Sequence, residues 1–267
     1  MVKDMRKWIR GILLVICLGV MCYSGYQLYT IYSAYSQAEK VYADTSDKYV
    51  RPAAGKTEST DPSAPTQPLR LAPIQVDFDA LLQENKDVKG WIYVPDTNLN
   101  YPIVQAEDND YYLRRMLDGN YNHSGSIFMD YRNNEKFTDY NSIIYGHNMN
   151  NDSMFAMLSK YQKQEFYEEH PVMYLLTPDA DYQLDIIASV QVGADSDLYT
   201  FPQTREEFDD YLNRLMKKSV LSLDVDLEAV ERTVMLSTCS YEYQDARYVV
   251  VASMTKLDRL PQTAPAE

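Results

Sequence analysis

The chain has 267 residues, enough for one large domain or two small ones, and its 39 acidic and 25 basic side chains leave a net charge of −14. Residues 1–32 hold four basic groups and one acid, so 21 basic and 38 acidic residues fall in the remainder. A body this acidic argues against binding nucleic acid or anionic lipid through its bulk surface.

Lys3, Arg6, Lys7 and Arg10 precede a stretch from Gly11 to Ala38 without a charged residue. Its core, GILLVICLGVMCYSGYQLYTIY, has about the ~20 residues that a helix needs to cross ~30 Å of hydrocarbon. The basic flank stays cytoplasmic, so the expected layout is a cytoplasmic segment at 1–10 and a transmembrane helix at 11–32, with everything after it on the extracellular face. The rival reading is a cleavable signal peptide, but the run exceeds the usual ~7–15 residues and no A-x-A site follows it. Cys17 and Cys22 lie inside the span as small apolar filler, so Cys239 has no partner outside it. A leftover exported cysteine implies an intermolecular disulfide or a reactive thiol.

Residues 33–73 read as an extracytoplasmic stalk. YSAYSQAEKVYADTSDKYV suits a short helical continuation, and residues 51–73 hold five of the chain's twelve prolines, as an extended tether would. One domain is expected over 74–258, followed by a tail at 259–267. A helix begins near Asp77, with Phe78, Leu81 and Leu82 at helical spacing. Eight short β-like runs follow: GWIYV, YPIVQ, SGSIFMDY, NSIIYG, VMYLLT, YQLDIIASVQV, TVMLSTC and RYVVVASM. They predict a mainly β, α+β fold, a barrel or a sandwich, with helices inserted. One insert is 204–220, whose apolar face is Phe208, Tyr211, Leu212 and Leu215.

Paired as a hairpin, TVMLSTC and RYVVVASM bring Cys239 and Arg247 to the same end, ~4.8 Å apart across neighbouring strands. A guanidinium there stabilises a thiolate or an oxyanion; the plainer alternative is a buried free cysteine beside a surface arginine. A nucleophilic cysteine needs an acid–base partner, and three histidines are available. His170 follows an acidic helix, and His123 sits in a polar turn. His147 ends an apolar strand, where scaffolds display catalytic groups, and ranks first. One cysteine with scattered histidines does not make a zinc site. No phosphate loop or G-x-S-x-G elbow is present, and the cysteine-then-histidine order of papain-like enzymes is reversed.

LSTC at a strand end, an arginine shortly after it and YGHNM upstream resemble the sortases, cysteine transpeptidases of Gram-positive cell surfaces. DFDALLQENKDVKGWIYVPDTNLNYPIVQ, DNDYYL, GSIFMDYRN, IIYGHNM, HPVMYLLT and the helical insert are similar to class B members in particular. Met235 stands where the family often has threonine, a change expected to affect packing. The resemblance implies a closed eight-stranded barrel with an N-terminal helical addition. It also implies that Cys239 attacks the threonine carbonyl of a C-terminal sorting signal to form a thioester, that His147 is the acid and base, and that Arg247 holds the oxyanion. Ser237, Thr238 and Tyr145 would line the site, Asn109 and Leu113 would help form the signal-peptide groove, and Asp245 would tune Arg247 or His147 or serve as a turn residue. The implied partners are surface proteins bearing the signal, an amine of the peptidoglycan precursor or cross-bridge, and the membrane through the N-terminal helix. No metal, cofactor or nucleic acid is implied.

Pilin polymerisation, a hydrolytic peptidase and a silent tethered binding module remain alternatives at this point. The tail also contains LPQTA at 260–264, close to a sorting signal but without the apolar span and basic end that follow true ones.

Overall fold

The uncharged N-terminal run belongs to one long helix, α1 (Val2–Tyr49). Its first half exposes Ile12, Leu13, Leu14, Val15 and Val20, and it is long and apolar enough to cross a membrane. Exposed apolar side chains continue to Tyr32, and beyond it one side of the helix is covered. Ala38, Tyr42, Thr45 and Tyr49 recur at helical spacing and are buried against the rest of the protein. The stretch expected as a stalk is therefore divided. The helix runs on to Tyr49, and β1 (Val50–Pro52) pairs antiparallel with β2 (Ile74–Val76). The computed structural model describes residues 2–53, 69–239 and 246–259.

Helix α2 (Phe78–Glu84) starts where Asp77 accepts a hydrogen bond from the Ala80 amide at 3.0 Å. The eight expected runs become β3 (Val88–Tyr93), β4 (Asn100–Val104), β5 (Ile127–Met129), β6 (Asn141–His147), β7 (Val172–Leu176), β8 (Asp181–Gly193), β9 (Thr233–Cys239) and β10 (Ala246–Lys256). They close in the order β10-β8-β7-β3-β4-β5-β6-β9. The pairs β4–β5 and β6–β9 are parallel and the others antiparallel. Closure pairs each barrel strand on both sides, and Ile92, Ile103, Ile127 and Leu184 are among the residues buried in the core. A short helix, α3 (Gln164–Glu169), precedes β7.

The insert forms α4 (Arg205–Lys218). Thr204 caps it by accepting from Glu207 N at 3.2 Å, and the Glu207 carboxylate accepts from Gln203 N at 2.7 Å. Glu206 and Glu207 in the first turn and Lys217 and Lys218 in the last suit the helix dipole. Phe208, Tyr211, Leu212 and Leu215 are wholly buried on Ile143, Met235, Val249 and Val251 of the sheet. Met235 is thus a packing residue under α4.

Side chains alternate across a strand, so the residues continuing that covered face can be read off. Beyond Ile143 come Tyr145 and His147, beyond Met235 comes Ser237, and before Val249 comes Arg247. One sheet face is apolar where α4 lies and polar where α4 ends. That polar end is the candidate site.

Candidate active site

Strands β6 and β9 run in register over seven pairs, from Asn141↔Thr233 to His147↔Cys239, and both stop there. Histidine and cysteine, 92 residues apart in sequence, therefore occupy neighbouring positions on parallel strands. Strand β10 adds the arginine. Its pairing with β9 reaches Val249↔Ser237, and Tyr248 N then donates to Thr238 Oγ1 at 3.0 Å. Arg247 Nη1 donates to the Thr238 carbonyl at 3.2 Å, one residue before Cys239. The other two histidines lie elsewhere: His170 caps the end of α3, and His123 is exposed beside Arg114, at 3.1 Å.

His147 is held tightly. The residue is 9% exposed, and Nε2 lies 2.7 Å from the carbonyl oxygen of Leu113, in the 3₁₀ turn Tyr112–Arg114. A carbonyl only accepts, so Nε2 carries the proton and Nδ1 is the nitrogen left to exchange one in the neutral ring. The His147 carbonyl accepts from Phe155 N at 2.9 Å, which fixes the chain beyond the strand. Gly146 makes this packing possible: a Cβ there would lie 2.5 Å from Ile127 Cδ1 and 2.7 Å from Phe155 Cγ.

A profile of the sortase domain matches residues 92–255, more than half of the chain. Sortase B of Listeria monocytogenes is 33% identical over 244 residues, 89% of this chain and 93% of that protein. The chain belongs to the sortase family, class B. Among solved structures, sortase B from Bacillus anthracis is 34% identical with a TM-score of 0.70, covering 85% of this chain and all of that one. A Staphylococcus aureus sortase B–substrate complex is 34% identical with a TM-score of 0.65, covering 68% of this chain and 85% of that one. Sortases are cysteine transpeptidases, and the barrel and its helices match those of the solved relatives.

Beside the three strand ends this sortase builds a polar network around one buried carboxylate. Asp130 has a fully buried side chain and takes two bonds from Arg132, at 2.8 Å each, from Nε and Nη2. Asn109 Nδ2 and the Tyr145 hydroxyl also donate to Oδ2, at 3.0 and 3.1 Å. Burial pushes the Asp130 carboxyl up, but the bonds from Arg132, its amide and Asn109 outweigh it, and the group is held below the usual carboxylate range. The Arg132 guanidinium lies over the Phe201 ring at 4.2 Å. Tyr199, from the same loop, stacks on Tyr145 with ring centroids 6.4 Å apart, and its hydroxyl lies 2.7 Å from Ser237 Oγ. The network thus links five segments of the chain, including the loop before α4.

Tyr145, Asn109, Ser237 and Leu113 accordingly lie around the strand ends, the last through its carbonyl. Thr238 is fully buried and ties β9 to β10. The side chain of Cys239, Asp245 and the LPQTA segment lie outside the described residues. Sequence reasoning missed Asp130, Arg132 and Tyr199. The D-x-R spacing of MDYRN is a legible local ion pair, whereas nothing in DLYTF marks Tyr199. Among the described residues, no group of three or more His, Cys, Asp or Glu is gathered as for a metal ion.

Proposed function

We propose that this sortase is a single-pass membrane enzyme that cleaves a C-terminal sorting signal after threonine and joins the new carboxyl end to a peptidoglycan amine. The observation that carries the reading is the His147↔Cys239 pairing on parallel strands, with Arg247 bound to the carbonyl just before the cysteine. Cys239 thiolate adds to the threonine carbonyl, and Arg247 holds the resulting oxyanion. Collapse expels the amine, which takes a proton from Nδ1 of His147, and a thioester remains. An incoming amine adds to the thioester and returns a proton to Nδ1. The amide forms, and the Cys239 thiolate leaves. The thioester conserves the acyl group's reactivity without ATP.

With ordinary pKa values of ~8.5 and ~6.5, about 3% of cysteine is thiolate and about 24% of histidine is imidazolium at pH 7. Independent groups would both be charged in under about 1% of molecules, so a nearby guanidinium that favours the thiolate has a direct effect on rate.

Helix α1 supports the membrane part of the reading, with residues 1–10 cytoplasmic, 11–32 spanning and the barrel outside. The substrate complex of the Staphylococcus aureus relative supports a sorting-signal substrate for this chain, and we infer that Asn109, Leu113 and Ser237, which lie around the strand ends, seat it. The test uses the detergent-solubilised chain with fluorogenic peptides of NPxTx, LPxTG and SPxTG type, with and without oligoglycine or diaminopimelate. Cleavage after threonine that added amine diverts to amide, and that Cys239→Ala abolishes, supports the assignment. Acid product regardless of amine makes the enzyme a hydrolase, and activity in Cys239→Ala removes the nucleophile.

A further inference from the structure

Helix α1 also bonds to the loops that lie behind the site. We propose that Tyr42 is a positioning residue for His147, so that the N-terminal helix forms part of the active-site scaffold. The proposal rests on the reading of His147 as the acid and base, and three links of geometry carry it.

The first link joins helix to loop. Tyr42 is 4% exposed, its ring meets Tyr101 edge-on with centroids 5.2 Å apart, and its hydroxyl donates to the Gly125 carbonyl at 2.6 Å. The same hydroxyl lies 3.0 Å from Ser126 Oγ.

The second link joins loop to turn. Ser126 N donates to Tyr112 O at 3.0 Å, and Ser126 Oγ donates to Arg115 O at 2.8 Å, bracketing the turn Tyr112–Arg114. Gly125, with φ +56°, lies so close to that turn that a Cβ would stand 2.4 Å from the Leu113 oxygen. The third link is the bond from His147 Nε2 to that same oxygen, at 2.7 Å.

The turn is three residues long and has no side-chain cap, so its carbonyl is aimed by what packs behind it. Residues 125 and 126 pack behind it, and the Tyr42 hydroxyl bonds the first and touches the second. Two further bonds widen the clamp. Asn122 Nδ2 donates to Ala34 O at 2.9 Å, and Asn151 Nδ2, in the segment after His147, donates to Glu39 Oε1 at 2.6 Å. Helix α1 therefore bonds both to the loop behind the turn and to the segment that follows the histidine. A displaced Leu113 carbonyl would leave Nδ1 misdirected, and small misplacements of an acid–base group are costly in rate.

The experiment uses the full chain in detergent with ¹³C,¹⁵N-labelled histidine, whose three imidazoles are assigned by substituting His123 and His170. Tyr42→Phe keeps the ring and removes the hydroxyl; Ser126→Ala removes its neighbour. Ser46→Ala is the control, because it deletes another bond between α1 and the barrel, to Asn100 at 2.8 Å, outside this chain of contacts. Tyr42→Phe and Ser126→Ala are expected to lower kcat roughly five- to ten-fold with KM unchanged and to shift the His147 signals, while Ser46→Ala changes neither. Unchanged His147 signals or wild-type kcat in Tyr42→Phe, or an equal loss in Ser46→Ala, overturns the proposal. Cys239→Ala run alongside reads the transpeptidase assignment separately, and the imidazole signals report placement whichever way that falls.

Discussion

The Leu113 carbonyl oxygen and Nε2 of His147 lie 2.7 Å apart, and this bond sets both the tautomer and the direction of the imidazole. Because the acceptor is backbone, its position depends on the turn and on Gly125 behind it. Gly125→Ala would have to place a side chain at φ +56° and 2.4 Å from that oxygen. A left-handed alanine alone costs about 1–2 kcal/mol. Urea unfolding should show at least that loss, and kcat should fall with it. Wild-type stability and turnover would show that the turn does not depend on the glycine.

The Asp130–Arg132 pair predicts a pH dependence. Asp130 titrates below its ordinary range in the folded protein, so its contribution is complete above the unfolded value near pH ~3.9 and is lost as pH falls through the lower folded value. Asp130→Asn should cost about 1–3 kcal/mol at pH 7 by leaving Arg132, Asn109 and Tyr145 without their charged acceptor. The gap between wild type and variant should close as pH drops below about 4. Thermal melts at pH 7, 5 and 3 measure it, and a constant gap would assign the loss to something other than this carboxylate.

Tyr199 and Ser237 offer a test of the groove. Tyr199→Phe removes the hydroxyl 2.7 Å from Ser237 Oγ while leaving a ring to stack on Tyr145. A lost hydrogen bond of typical strength corresponds to roughly a two- to ten-fold effect, expected here in KM for the sorting peptide with kcat little changed. Steady-state kinetics decide it. A change confined to kcat would place Tyr199 with the acid–base machinery instead.

Helix α4 should matter for stability alone. Phe208 is fully buried against the sheet face that carries the site at its other end, and its ring stacks on Tyr140 at 5.1 Å. Phe208→Ala should cost about 3–5 kcal/mol. At temperatures where the variant is folded, its KM and kcat should match wild type. Altered KM in folded protein would mean that the apolar and polar halves of this face are coupled.

Much of this arrangement is legible in the sequence because strand alternation and helix periodicity are local. NSIIYG and TVMLSTC read as strands, and Phe208, Tyr211, Leu212 and Leu215 declare the α4 face. The parallel pairing of β6 with β9 is not local. Barrel closure fixes it, which is why His147 emerged from strand-end position and family likeness rather than from any visible contact with Cys239. Asp130 and Arg132 are two residues apart, yet the partners that give the pair its place lie 21 and 15 residues away, at Asn109 and Tyr145. The helix beyond residue 33 is legible in YSAYSQAEKVYADTSDKYV, but its packing on the barrel is not. The stripe Ala38, Tyr42, Thr45, Tyr49 was the available sign, and it becomes meaningful only with the barrel surface it covers.

The central claim is that Cys239 carries the acyl group. Intact-mass spectrometry of the enzyme quenched during turnover of a cleaved sorting peptide tests it most directly. The account predicts an adduct of the signal's N-terminal fragment through threonine, mapped to Cys239, released by hydroxylamine and absent from Cys239→Ala. Efficient cleavage with no adduct under any quench, or an adduct on another residue, would contradict it.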